Sequence, residues 1–142
     1  MIISEEIVKK IEMLSSEFAT ETGGIIGSRS GDEIDCAVPD KGAACDRISY
    51  TPDIRFLNAE LERWAQNNIE FRGLFHSHFY GVTDLSEYDR EYITVIIKAM
   101  PDSVKLLYFP IFVLPQKEMV GYRAERINGT EVLIAKEKVI IV

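Results

Sequence analysis

The stretch GLFHSHFYGVTDLSEYD, residues 73–89, holds both histidines of the chain, His76 and His78, one residue apart. Imidazole offers a nitrogen lone pair near neutral pH, which makes histidine the commonest metal ligand and a frequent acid or base. Side chains at i and i+2 of a strand point to the same face, so H-x-H on a strand presents two imidazoles side by side. IEFRGLFHSH, residues 69–78, is apolar on both alternating faces up to the histidines, the pattern of a central strand covered on both sides. The two rings then stand at the C-terminal end of that strand. A helix opening at Ser86-Glu87-Tyr88-Asp89 folds back over the strand end and brings a carboxylate within reach. Two nitrogens and one carboxylate oxygen are three protein ligands, and three ligands plus a water is the arrangement of a catalytic rather than a structural zinc. Asp84, Glu87 and Asp89 are the acids in range. Taken alone, H-x-H reads as two half-buried strand residues bonded to backbone, and S-x-x-D as a helix start with an anion in the first turn. The last two uses of Asp89 are compatible, because the helix N-terminus sets the direction of its carboxylate.

The elements that must position these groups follow from periodicity. Ile7, Ile11, Leu14 and Phe18 recur at three- and four-residue steps and predict an amphipathic helix over 3–19. GGIIG (23–27) reads as a short buried strand, SRSGDE as a turn, and EIDCAVP (33–39) as the second arm of a hairpin. Residues 40–50 read as loop. Thr51-Pro52 looks like an N-cap followed by proline at the first helical position, opening a helix with Phe56, Leu57, Leu61 and Trp64 on one side. Residues 86–99 form a second helix whose buried face is expected to carry Tyr88, Tyr92, Val95, Ile96 and Ala99, stopped by Pro101. SVKLLYFPIFVLP, KEMVGYRAERI and TEVLIAKEKVIIV read as three strands, with Pro110 marking an edge or bulge and Asn128-Gly129 a hairpin turn. The order αββαβαβββ describes an α/β domain over 1–142, a mixed sheet with flanking helices.

Composition narrows the class. At 142 residues and 46% apolar content the chain can close one core, and its net charge of −7 disfavours nucleic acid as a partner. The opening MIISEEIVKK has acids where a secretory leader needs basic residues, and LLYFPIFVLP is half the ~20 residues needed to span a bilayer, so a cytoplasmic protein with no membrane partner is expected. Cys36 and Cys45 read as small buried hydrophobes.

His76-x-His78, seven residues, Ser86, two residues, Asp89 is the H-x-H-x(7)-S-x(2)-D motif, and the chain resembles the JAMM (MPN+, JAB) metalloprotease family. Glu21-Thr22-Gly23-Gly24 resembles that family's glutamate ahead of a Gly-rich strand, and the likeness runs over nearly the whole chain. The resemblance implies a cytidine-deaminase-like fold and a Zn2+ enzyme that hydrolyses peptide or isopeptide bonds, often beside a ubiquitin-like C-terminal tail. It implies zinc ligation by His76, His78 and Asp89, general acid/base work by Glu21, and oxyanion support from Ser86. Phe79 and Leu85 stand where proline is frequent in the family, and both shape the groove rather than the metal site. The substrate stays open between the tail of a ubiquitin-like or sulfur-carrier protein and a cell-wall or phage-tail peptide. The rival readings are a non-catalytic MPN scaffold that binds protein partners, and a nucleobase deaminase, which would need an H-x-E and P-C-x-x-C pair that the chain lacks.

Overall fold

The computed structural model describes residues 1–17, 19–41 and 49–142. Along the chain run β1 (Ile2–Ile3), α1 (Glu5–Glu17), β2 (Gly23–Ser28), β3 (Glu33–Ile34), β4 (Cys36–Pro39), α2 (Ile54–Gln66) and β5 (Glu70–His78). Then come α3 (Glu87–Ala99), β6 (Leu106–Tyr108), β7 (Ile111–Val113), β8 (Glu118–Ile127), β9 (Glu131–Glu137) and β10 (Ile140–Ile141). The main sheet is mixed. β5 pairs antiparallel with β2 on one side and parallel with β6 and β7 on the other, while β4 lies outside β2 and β8 and β9 lie beyond β6 and β7.

Strand alternation sorts apolar side chains into two cores. Ile25, Leu74, Ile111 and Val113 pack with Leu57 and Trp64 of α2 and with Ile93, Ile96 and Ile97 of α3. Ile26, Phe75 and Phe112 pack on the opposite face with Ile7 and Ile11 of α1. The nine residues of β5 are therefore covered on both sides from Gly73 onward, as their unbroken apolar pattern requires. Complete burial of each such large side chain is worth about 1.5–3 kcal/mol.

Several expectations are corrected in detail. The hairpin arm 33–39 breaks at Asp35, whose Oδ1 accepts the Arg29 N–H at 2.9 Å, so β3 leaves β4 and pairs in parallel with β1 instead. The last strand also divides: β10 joins β1, completing a separate three-stranded sheet. The cap of α2 is Asp53 rather than Thr51, because its carboxylate reaches two helical donors, Arg55 N–H at 2.9 Å and Phe56 N–H at 3.2 Å. Pro110 splits the expected fourth strand, SVKLLYFPIFVLP, into β6 and β7, both paired to β5. Cys36 is buried and free as expected. Phe18, Cys45 and most of the expected 40–50 loop lie outside the described residues.

One glycine of β5 is held by close approach. Gly73 has φ +138°, and a Cβ there would overlap the Tyr108 carbonyl oxygen of β6. Gly73→Ala is therefore expected to destabilise by on the order of 3 kcal/mol. Gly31, with φ +70° and open space around it, is the control, so that Gly31→Ala should cost only about 1 kcal/mol. Urea unfolding of the two variants separates the overlap from the dihedral cost, and equal losses would remove the overlap as the cause.

Candidate metal centre

The site is assembled by register. β2 and β5 pair Gly23 with His76, and the pairing continues past the end of β2, where Ser77 N–H donates to the Thr22 carbonyl at 2.8 Å and Thr22 N–H donates to Ser77 Oγ at 2.9 Å. Two places back from Gly23, on the same face, is Glu21; two places on from His76 is His78. E-x-G and H-x-H are thus two halves of one cross-strand pattern. Gly23 opposite His76 leaves room for Tyr50, whose ring atoms would lie 2.6 Å from a Cβ at that position. The Tyr50 ring instead stacks on His76, centroids 6.0 Å apart and planes 18° apart.

The third side of the site comes from α3. Ser86 caps the helix: its Oγ accepts the Asp89 N–H at 3.0 Å, and Ser86 N–H donates back to Asp89 Oδ2 at 2.9 Å. This reciprocal box turns the Asp89 carboxylate inward, where it is only 2% exposed. Asp84 and Glu87, the other acids in sequence range, are both exposed. The inward turn of Asp89 also rotates the helix face from the one expected. Tyr92, Ile93, Ile96 and Ile97 are buried with it, whereas Tyr88, Val95 and Ala99 face solvent.

Three ligand-type atoms converge. His76 Nε2 and His78 Nε2 are 3.0 Å apart, and Asp89 Oδ2 lies 3.4 Å from the first and 3.2 Å from the second. Zinc–ligand bonds of about 2.0–2.1 Å in a tetrahedron set neighbouring ligand atoms about 3.3 Å apart, so the triangle has the dimensions of one tetrahedral face. His78 Nδ1–H donates to the Val82 carbonyl at 3.0 Å, which makes Nε2, facing the other two atoms, the nitrogen that would bind an ion. Glu21 Oε1 stands one step back, 3.9 Å from His78 Nε2. Glu21, His76 and His78 offer ligand atoms all within 4.8 Å of one another, close enough to hold a metal ion, and Asp89 is nearer to the rings than Glu21 is.

Burial and charge set the proton affinities. Complete burial lowers the pKa of His76, favouring the neutral ring that a metal needs. Burial also opposes charge on His78, but its hydrogen bond to Asp89 and the charge of Glu21 outweigh this and raise its pKa. Burial alone would raise Asp89; the hydrogen bonds from His76 and His78 override it and hold the carboxyl well below the usual carboxylate range. Glu21 goes the other way, raised by burial that the nearby His78 only partly offsets. The two carboxylates of the site are thus driven apart, Asp89 toward the ionised form and Glu21 toward a higher proton affinity.

Glu21, His78 and Asp89 line a cleft of about 410 Å³ together with Phe79, Val82 and Leu85. Ser86 also lines it. A larger cleft, about 610 Å³, lies beside β4 and includes none of the site residues. Sequence reasoning missed Tyr50 and Tyr92, which contact the His76 ring. Tyr92 had a signal: three residues after Asp89 on a helix, it shares that carboxylate's face.

No protein-family model matches the sequence, nor does any curated protein. Solved structures do. A Desulfitobacterium hafniense protein determined in solution is similar over 100% of this chain and 93% of its own, at 18% identity and a TM-score of 0.67. A JAB1/MPN domain protein from Archaeoglobus fulgidus aligns over 100% of this chain and 99% of its own, at 19% identity and a TM-score of 0.57. A JAMM structure described as a metalloprotease-like zinc site in the proteasome and signalosome aligns over 100% and 97%, at 19% identity and a TM-score of 0.56. With a mixed sheet flanked by helices and matched end to end by these structures, the chain has the JAB1/MPN fold.

Proposed function

We propose that the chain is a zinc-dependent hydrolase of peptide or isopeptide bonds, with His76, His78 and Asp89 as metal ligands, Glu21 as general acid/base and Ser86 as oxyanion donor. The observation that carries this reading is the triangle of His76 Nε2, His78 Nε2 and Asp89 Oδ2, 3.0–3.4 Å on edge. The likeness to a structure described as a metalloprotease-like zinc site supports it. Zinc held there would lower the pKa of a bound water to about 7 and polarise a substrate carbonyl.

The chain's own residues do the rest. Glu21, half-buried with a raised pKa, accepts a proton from the attacking water and delivers it to the departing amine. Ser86 Oγ is already an acceptor for Asp89 N–H, so its own hydrogen is free to be donated to the carbonyl oxygen as negative charge develops. Asp89, kept ionised, would balance part of the charge of an ion held by the two neutral imidazoles. Phe79, Val82 and Leu85 give the cleft apolar lining against which a substrate side chain can pack. The substrate we favour is an extended protein tail of the ubiquitin-like or sulfur-carrier kind.

The test is cleavage of a panel of ubiquitin-like fusions and short peptides, with chelator and zinc add-back as controls. Cleavage that is lost on chelation and restored by zinc is the expected result. Zinc fully bound with every substrate intact would favour the partner-binding scaffold instead. Ser86→Ala is expected to lower kcat about 10²–10³-fold with KM and zinc content little changed. That variant also loses about 1 kcal/mol of helix capping, so Ser86→Gly, which gives up only a few tenths there, should show the same loss of kcat. Unchanged kcat in both would remove Ser86 from the oxyanion role.

A further inference from the structure

We propose that Tyr92 is the positioning residue of His76: its hydroxyl accepts the Nδ1–H of that ring and so leaves Nε2 as the lone pair aimed at the ion. The inference rests on the metal reading above. His78 is oriented by a group that can only accept, the Val82 carbonyl, which fixes its hydrogen on Nδ1. The Nδ1 of His76 faces the Tyr92 hydroxyl instead, at 3.0 Å. A phenol both donates and accepts, and acceptance is the direction that frees Nε2.

The environment fixes this partner in place. His76 is 0% exposed, so no solvent can substitute for the hydroxyl. Tyr92 is itself buried and meets His76 edge to face, with planes at 75°, while the Tyr50 ring stacked on His76 meets Tyr92 at 86°. The imidazole is thereby confined between a stacked face and a hydrogen-bonded edge. Tyr92 and Asp89 are three residues apart on α3, so a single helix supplies both a carboxylate to the triangle and the bond that orients one of its rings. The partners that orient metal-ligating imidazoles are worth ~10–100-fold in metal affinity when removed.

The experiment uses the full chain and Tyr92→Phe, which keeps the ring and removes only the hydroxyl. Zinc affinity is measured by competition with a chromophoric chelator, and the imidazole N–H protons of the zinc-loaded proteins are followed by NMR. The expected result is a ~10–100-fold weaker zinc affinity in the variant. With it, the His76 Nδ1–H resonance moves upfield for want of an acceptor while that of His78, bonded to the Val82 carbonyl, stays where it is. A packing role alone would be kept by phenylalanine and would leave that proton in place. Affinity within about twofold of wild type, or an unaltered His76 proton, would overturn the inference while leaving the metal reading standing. Wild-type protein that binds no zinc would end both. Should Tyr92→Phe fail to fold, the wild-type spectrum decides: a cross-peak between the His76 Nδ1–H and the Tyr92 ring protons is expected, and its absence overturns the assignment.

Discussion

Glu21→Gln is expected to cut turnover about 10²–10⁴-fold while the protein keeps its fold and about one equivalent of zinc. Glutamine matches the size of the side chain and its hydrogen-bonding reach but cannot take a proton. Glu21 stands 3.9 Å from His78 Nε2, beyond the tighter triangle made with Asp89, so its loss leaves the three nearest ligand atoms in place. Thr22 and Ser77 hold the backbone beside it by two hydrogen bonds that the substitution does not touch. Metal analysis and kcat on a responsive substrate are the two measurements. Loss of zinc along with turnover would make Glu21 a ligand, and undiminished turnover would show that it is not the base.

The second large effect is expected from the triangle itself. His78→Ala and Asp89→Ala should each take zinc from about one equivalent to near none and abolish chelator-sensitive hydrolysis. The two differ in what else they break. Asp89 Oδ2 also accepts the Ser86 N–H, so in chelator, where zinc plays no part, Asp89→Ala should cost a further ~1–3 kcal/mol. Asp89→Asn keeps an acceptor oxygen and should recover much of that stability without recovering the metal. Zinc content equal to wild type in His78→Ala would remove the metal assignment. Urea unfolding of the two Asp89 variants separates capping from ligation.

Much of this was legible because the site is written in two short periodicities. H-x-H and E-x-G are period-2 patterns, and once β2 and β5 pair they fall on one face in one register. Ser86-x-x-Asp89 is a helix-capping pattern whose reciprocal bonds also aim a carboxylate. What could not be read was anything that polarity alone disguises. Tyr92 and Ile96 of α3 are buried as expected, but the rest of the expected face is turned outward because Asp89 lies on the buried one, and an apolar count puts an aspartate outside by default. Tyr88 and Val95 were assigned inward in its place and are 44% and 62% exposed. The small sheet of β1, β3 and β10 joins three two-residue segments far apart in sequence, and alternation says which face a residue takes but not which strand it meets. Tyr50 contacts His76 across a loop, with no spacing rule linking the two.

The central place of β5 has a consequence for how the protein comes apart. Proteins open in cooperative units whose free energies run from near zero at fraying ends to the full unfolding free energy at core strands. His76 and Ser77 donate their amide hydrogens to Pro110 and Thr22, carbonyls on opposite flanks of β5. The backbone beneath the imidazoles is thus tied into the last unit to open. The side chains of Tyr80 and Val82, 95% and 50% exposed on the loop that follows, belong to a layer that can be changed without that cost. Amide exchange would divide the two at Phe79, with slow, global opening before it and shallow opening at Tyr80 and Gly81 after it, and Val82, whose carbonyl holds His78 Nδ1–H, as the point where the cleft loop is tied to the metal site.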